Sequence, residues 1–215
     1  VMTSPAITIG PDDPIDAAVE LILRRRIGCV PVVERNGLVG IVTRSDLLDR
    51  ETAASTAEPL AAGSAEAVSA APWTRLVVDA VMSRDPVTAL ADDALSMIVE
   101  RMARMGIRHV PVIDGERRVI GILSDRDVRT AIGNPLRALR TRDAIVRIES
   151  TRVGHAMSRS PVTVAAGTRL SRVAALFVDR KVGILPVVDD AERLAGIVSY
   201  TDVLRAVLGP KSQAN

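Results

Sequence analysis

The sequence predicts a mixed α/β (α+β) protein assembled from three copies of one β-α-β-β-α unit. Two observations predict it. Three segments align with one another, Ala6–Leu48, Pro86–Val128 and Pro161–Val203, so that Pro31, Pro111 and Pro186 fall at one position. Gly40, Gly121 and Gly196 fall at a second, and Asp46, Asp127 and Asp202 at a third. The second and third copies align without a gap, whereas the first and second differ by one residue in a turn. Within each copy, moreover, the apolar pattern changes from helical spacing to short β-rich runs in the same order.

The elements follow in chain order. A short first strand is expected at Ile7–Ile9, Val87–Ala89 and Val162–Val164. A helix comes next, with Ile15, Ala18, Val19 and Ile22, or Leu95, Ile98, Val99 and Met102, on one face. Asp13 before Pro14, Asp93 and Thr168 are suitable N-caps for it. The Val-Pro-Val runs read as a second strand, Asn36-Gly37 as a turn, and the Gly-Ile-Val or Gly-Ile-Leu runs as a third strand. A short helix then opens at Asp46, Asp127 and Asp202. A unit of about fifty residues buries its sheet poorly alone, so the units should pair.

The domain division is 1–50, 78–132 and 153–209 for the repeats, with linkers at 51–77 and 133–152 and a tail at 210–215. The first linker is rich in Ala, Ser, Glu and Gly, and reads as flexible or partly helical. The second carries Arg137, Arg140, Arg142 and Arg147.

Composition narrows the function. Trp73, Phe177 and Tyr200 are the only aromatics, so the core is aliphatic and stacking platforms for single-stranded nucleic acid are missing. With 28 basic against 26 acidic residues, the net charge of +2 lacks the basic footprint of a DNA-binding domain. Arg24-Arg25-Arg26 closes an expected helix, where cations suit the helix dipole and solvent. Cys29 alone makes neither a disulfide nor a metal cluster, and reads as a small buried core residue. No apolar run approaches the ~18–20 residues of a membrane helix, the N-terminus does not read as a signal peptide, and a cytoplasmic location is expected. His109 and His155 lack metal-ligand companions, and no P-loop, G-x-G-x-x-G or catalytic triad pattern occurs, so no enzyme activity is expected.

The h-P-V-V run followed by G-I-V-[ST]-x-x-D resembles the CBS domain family. Met82-Ser83-Arg84 and Met157-Ser158-Arg159 fit its lead-in, and Met2-Thr3-Ser4 is a shorter version. The resemblance covers all three copies. It implies repeats paired into a pseudo-twofold Bateman module, with clefts for a regulatory adenosyl ligand such as AMP, ADP, ATP, NAD or S-adenosylmethionine and no catalytic cofactor. Such modules usually regulate another protein, so a free-standing sensor with an effector partner is implied.

The family places the aspartate of [ST]-x-x-D at ribose and the hydroxyl residue near phosphate, which gives Thr43/Asp46, Ser124/Asp127 and Ser199/Asp202 here. The same spacing is a helix capping box, in which the hydroxyl and the acid satisfy backbone N–H groups. The two roles are compatible. The copies differ just before Pro-Val: Arg108-His109 in the second, Gly28-Cys29 in the first and Gly183-Ile184 in the third. Singly, Arg108 reads as a solvated arginine and His109 as a half-buried core histidine. Beside Ser124 and Asp127 they read as a phosphate clamp. Arg126 is a lesser ligand candidate, and Thr88 and Thr163 on the first strands are candidates for base or ribose contact. The first copy keeps Thr43 and Asp46 without basic companions, so its site would be empty or take an uncharged adenosyl group.

The shorter connector and ungapped register favour pairing of the second and third copies within the chain; the alternative joins the first and second. An odd repeat then pairs across a homodimer or with a partner chain. A ligand-free structural or oligomerisation module is the competing reading, and a nucleic-acid binder using the arginines at 24–26 and 137–147 is a third.

Overall fold

The computed structural model describes residues 5–35, 37–49, 72–132 and 148–208. Met2-Thr3-Ser4, Asn36, most of both linkers, Arg137, Arg140, Arg142, Arg147 and the tail lie outside the described residues. Two compact units are present: the described parts of 1–81, 167–183 and 199–215 form one, and those of 82–166 and 184–198 the other.

The second unit holds two four-stranded sheets. One contains β4 (Ala89–Leu90), β5 (His109–Ile113), β6 (Val119–Ser124) and β7 (Ser158–Arg159), in that order. The other runs β3 (Ser83–Arg84), β10 (Leu194–Ser199), β9 (Ile184–Val188) and β8 (Val164–Ala165). The second and third copies thus exchange edges. The lead-in strand β3 of the second copy pairs antiparallel with β10 of the third, and β7 of the third pairs with β6 of the second. Within the chain these two copies are the pair.

Glycine makes the exchange possible. Gly121 faces Met157, whose sulfur occupies the space a Cβ would need. At Gly196 a Cβ would stand 2.7 Å from the Met82 sulfur and 2.9 Å from the Ser83 carbonyl oxygen. Only a residue without a side chain admits the methionine there.

Helix α3 (Leu95–Met105) turns Leu95, Ile98 and Met102 inward, where Ala89, Val110, Val112, Leu123, Val128, Val153 and Met157 complete an aliphatic core. Val99 packs against this core partly buried. Gly106 ends the helix in the left-handed region at φ 64°, with its N–H on the Ala103 carbonyl. Helix α4 (Asp125–Ile132) follows β6 directly, and the short α5 (Val153–Ala156) packs against α3 and α4.

In the other unit, α1 (Ile15–Arg25) buries Ala18, Val19 and Ile22 and leads into the hairpin β1 (Cys29–Glu34) and β2 (Gly37–Thr43). Residues 44–49 form α2. Helices α6 (Leu170–Arg180) and α7 (Tyr200–Leu208) of the third copy belong to this unit as well, and α7 packs against α1. Phe177 and Tyr200 stack with centroids 4.5 Å apart, and the Tyr200 hydroxyl donates to the Phe177 carbonyl at 2.8 Å. Burial raises the Tyr200 pKa, and Asp49 adds to the rise while a hydrogen bond with Ser45 opposes it. The turn Pro72–Arg75 at the end of the first linker packs on α6 and buries Trp73.

Several local expectations shift. The first strands are shorter and start later, at Ala89 and Val164, and Ile9 makes only an isolated bridge to Val32. Asp13 and Asp93 do not cap helices. Their carboxylates accept the N–H groups of Gly10 and Leu90 and close the preceding turn. The N-cap positions fall at Pro14, Ala94 and Arg169, none with a side-chain cap hydrogen bond, so Thr168 is not the N-cap either. Cys29 is half-buried rather than fully enclosed. Arg24 pairs with Glu20 at 2.7 Å on an exposed face, and Arg26 ends α1 at φ 53°.

Candidate functional site

The three [ST]-x-x-D motifs share one backbone frame. The helices they open begin at residue 44, Asp125 and Tyr200, two residues before the aspartates named from sequence. The aspartate is therefore the third helical residue, where a carboxylate reaches back to the chain before the helix. In the second copy Asp127 Oδ2 accepts the Ser124 N–H at 2.8 Å and its hydroxyl at 2.5 Å, while the Asp127 N–H donates to Ser124 Oγ at 3.2 Å. The third copy repeats this with Ser199 N–H and Oγ at 2.8 and 2.6 Å from Asp202 Oδ2. In the first copy Thr43 N–H and Oγ1 stand 2.8 and 2.9 Å from Asp46 Oδ2. A further backbone bond ties each helix start to the residue ahead of the Val-Pro strand: Arg44 N–H to Gly28, Asp125 N–H to Arg108 and Tyr200 N–H to Gly183.

On that shared frame the second copy adds charge. His109 pairs in register with Ser124, and the Arg108 carbonyl holds the start of α4. The basic pair and the capping box therefore meet at one end of the β5–β6 hairpin. Arg108 is exposed and His109 half-buried. Burial lowers the His109 pKa below its usual 6.5; Asp125 and Asp127 push it back up, and Arg108 adds to the lowering. Asp125 is paired with Arg129 at 3.0 Å.

The two carboxylates make the start of α4 acidic, and Arg108 and His109 are the basic side chains at that end of the hairpin. One oxygen of Asp127 is fully engaged in the cap. The other, Oδ1, accepts the Ser158 hydroxyl at 3.2 Å. Ser158 lies on β7, the exchanged strand, and was not among the site residues read from sequence. The recurring Met-Ser of both lead-ins was the available signal.

Arg126 is exposed on α4. Thr88 is half-buried immediately before β4. Thr163, just before β8, lines a separate groove of about 340 Å³ with Asp114, Arg118, Ile120, Pro161 and Val188. That groove includes none of Arg108, His109, Ser124 and Asp127. In the third copy Asp202 Oδ1 accepts from Arg205 at 3.2 Å, and Ser199 shares a hydrogen bond with Thr201 at 2.7 Å. In the first copy the Arg44 guanidinium turns back on the Ile27 carbonyl, at 3.1 and 2.8 Å. Among the described residues no group of His, Cys, Asp and Glu could hold a metal ion, and no helix is long and apolar enough to cross a membrane.

Comparison with known proteins agrees with this threefold construction. The CBS domain pattern matches residues 1–52, 78–134 and 153–209. The chain belongs to the CBS domain family. It is similar to the uncharacterised protein MJ1225 of Methanocaldococcus jannaschii, 28% identical over 211 residues, covering 95% of this chain and 68% of that protein. The crystal structure of MJ1225, described as a proposed archaeal homologue of γ-AMPK, superposes with a TM-score of 0.71 at 26% identity. The CBS-pair protein CBSX2 of Arabidopsis thaliana, solved in complex with AMP, matches 63% of this chain and 98% of its own at 25% identity and TM-score 0.53. Inosine-5'-monophosphate dehydrogenase of Mycobacterium tuberculosis is 29% identical over 133 residues, which span 22% of that enzyme.

Proposed function

We propose that the chain is a regulatory sensor that binds an adenine nucleotide of the AMP type at the second copy and passes the occupancy on to a partner protein. The meeting of Arg108 and His109 with Ser124 and Asp127 carries this reading. A nucleoside monophosphate needs acceptors for its ribose diol and cations for its phosphate, and this cluster offers both within one hairpin end. Asp127 Oδ1 is the ribose acceptor, with the Ser158 hydroxyl displaced or shared. Arg108 and His109 hold the phosphate. The AMP bound by the similar CBSX2 supports that ligand class. The chain acts as a binding module and not as a catalyst, in the cytoplasm.

The saturated capping boxes of all three copies favour a second reading, a CBS assembly with a purely structural role. Thermal melts with AMP, ADP, ATP, NAD and S-adenosylmethionine separate the two. The sensor reading expects stabilisation by AMP, about 2.7 kcal/mol at a hundredfold excess over Kd. Absence of any shift with every adenosyl compound supports the structural reading instead.

A further inference from the structure

The groove beside Thr163 holds none of the residues that carry the proposed nucleotide site. Its volume of about 340 Å³ is that of a small-ligand site. The floor is aliphatic: Ile120 at the start of β6, Pro161 on the segment joining β7 to β8, and Val188 at the end of β9. Ser160 and Thr163 add hydroxyls, and Asp114, Arg118 and Glu192 add charge. Ile120 precedes Ser124 by four strand residues, a rise of about 13 Å. The groove therefore opens at the far end of the β5–β6 hairpin from the capping box.

The backbone fixes the order of its charges. Asp114 Oδ1 accepts the N–H groups of Glu116 and Arg118, each at 2.9 Å, and the Asp114 N–H donates to the Arg118 carbonyl at 3.0 Å. Arg118 forms an antiparallel bridge with Arg193, and the Leu194 N–H donates to the Arg117 carbonyl at 2.9 Å. Glu192, immediately before that bridge, lies in the left-handed region at φ 60°. Arg118 thus stands between two carboxylates, one from each hairpin turn. Its ion pair with Glu116 has both side chains more than half exposed; such a pair is worth little, so the guanidinium is available to an anion. Among the described residues nothing pairs with the Glu192 carboxylate. The constellation is not repeated by the pseudo-symmetry of the two repeats. The positions equivalent to Glu192, Ser160 and Ile120 hold Arg117, Asp85 and Ala195.

We propose that this groove is a second ligand site, for a free α-amino acid with an aliphatic side chain. The carboxylate of the amino acid meets Arg118, and its ammonium meets Glu192 and the second oxygen of Asp114. The Ser160 and Thr163 hydroxyls complete the polar contacts, and the side chain covers Ile120, Pro161 and Val188. A simple anion in the groove would face two carboxylates and a simple cation would face the guanidinium, whereas a zwitterion matches both signs. The site does not depend on the nucleotide reading.

Calorimetric titration of the full chain with L-leucine, L-valine and L-isoleucine tests it. Isoamylamine and isocaproate, which are L-leucine without its carboxylate and without its ammonium, serve as controls. One amino acid per chain is expected, with either control weaker by at least about ten-fold, since each lacks one charge-assisted contact. Arg118→Gln and Glu192→Gln change exposed side chains, and each should weaken L-leucine about ten-fold with an unchanged melt of the free chain. Absence of binding by all three amino acids at millimolar concentration overturns the proposal. So does L-leucine binding that is undiminished in both variants, or isoamylamine that binds as tightly as L-leucine. Displacement of L-leucine by saturating AMP overturns it as well, because the groove would then be one arm of the nucleotide cleft.

Discussion

The second and third repeats present the same helix start with different neighbours. Ser124/Asp127 and Ser199/Asp202 make matching hydrogen bonds, all within 2.5–2.8 Å at the shared carboxylate oxygen. Ahead of the helix, one copy has Arg108-His109 and the other Gly183-Ile184. The second carboxylate oxygen differs as well: in the second copy it accepts Ser158 from an exchanged strand, and in the third it accepts Arg205 from its own helix. The cap is thus common framework. What differs between the copies is the cation pair beside it and the partner of the remaining oxygen.

Removing the acid breaks this comparison most severely. Asp127→Ala and Asp202→Ala should each cost about 1–2 kcal/mol in chemical denaturation, the usual worth of a helix cap. Only Asp127→Ala should also abolish the rise in Tm on adding AMP. Next in size is Arg108→Ala, which leaves the fold intact and should weaken AMP binding by about 1.5–3 kcal/mol, the range for a charge-assisted hydrogen bond, in isothermal titration. Transplanting the pair by Gly183→Arg with Ile184→His tests whether the cations suffice. The third copy should gain little affinity, because Arg205 already neutralises Asp202 Oδ1.

A smaller effect concerns pH. Burial favours neutral His109, so its folded pKa lies below its unfolded value of 6.5. The unfolded chain then binds more protons as pH falls through 6.5, and the folded state loses stability from there down to the folded pKa. His109→Gln should flatten that part of the stability profile. A bound phosphate reverses the preference by favouring the charged ring. AMP affinity should therefore gain more on acidification from pH 7.5 to 6 in the wild type than in His109→Gln, which also cancels the titration of the phosphate itself. The smallest difference is expected for Asp→Glu, which a cap tolerates within a few tenths of a kcal/mol, while ribose contact at Asp127 does not.

Much of this was legible in the sequence because it was written three times. Ala18, Val19 and Ile22, and Leu95, Ile98 and Met102, show their buried face by spacing alone. The Ser-x-x-Asp motif announced its cap because both partners lie on one stretch of chain. The strand exchange was not legible. Two-residue strands such as Ser83–Arg84 carry no period, and their partners lie more than a hundred residues away in β10. Ser158 was missed for that reason: its contact with Asp127 depends on the exchange and not on local sequence. Asp13 and Asp93 were misassigned because an aspartate that closes a turn and one that caps a helix occupy nearly the same place.

The proposed nucleotide site of the second repeat rests on the basic pair beside Asp127. Titrating AMP into the wild-type chain, Asp127→Ala and Asp202→Ala by calorimetry tests it most directly. One AMP per chain is expected for the wild type and for Asp202→Ala, and no binding heat for Asp127→Ala. Undiminished binding by Asp127→Ala, or none by the wild type, would contradict it.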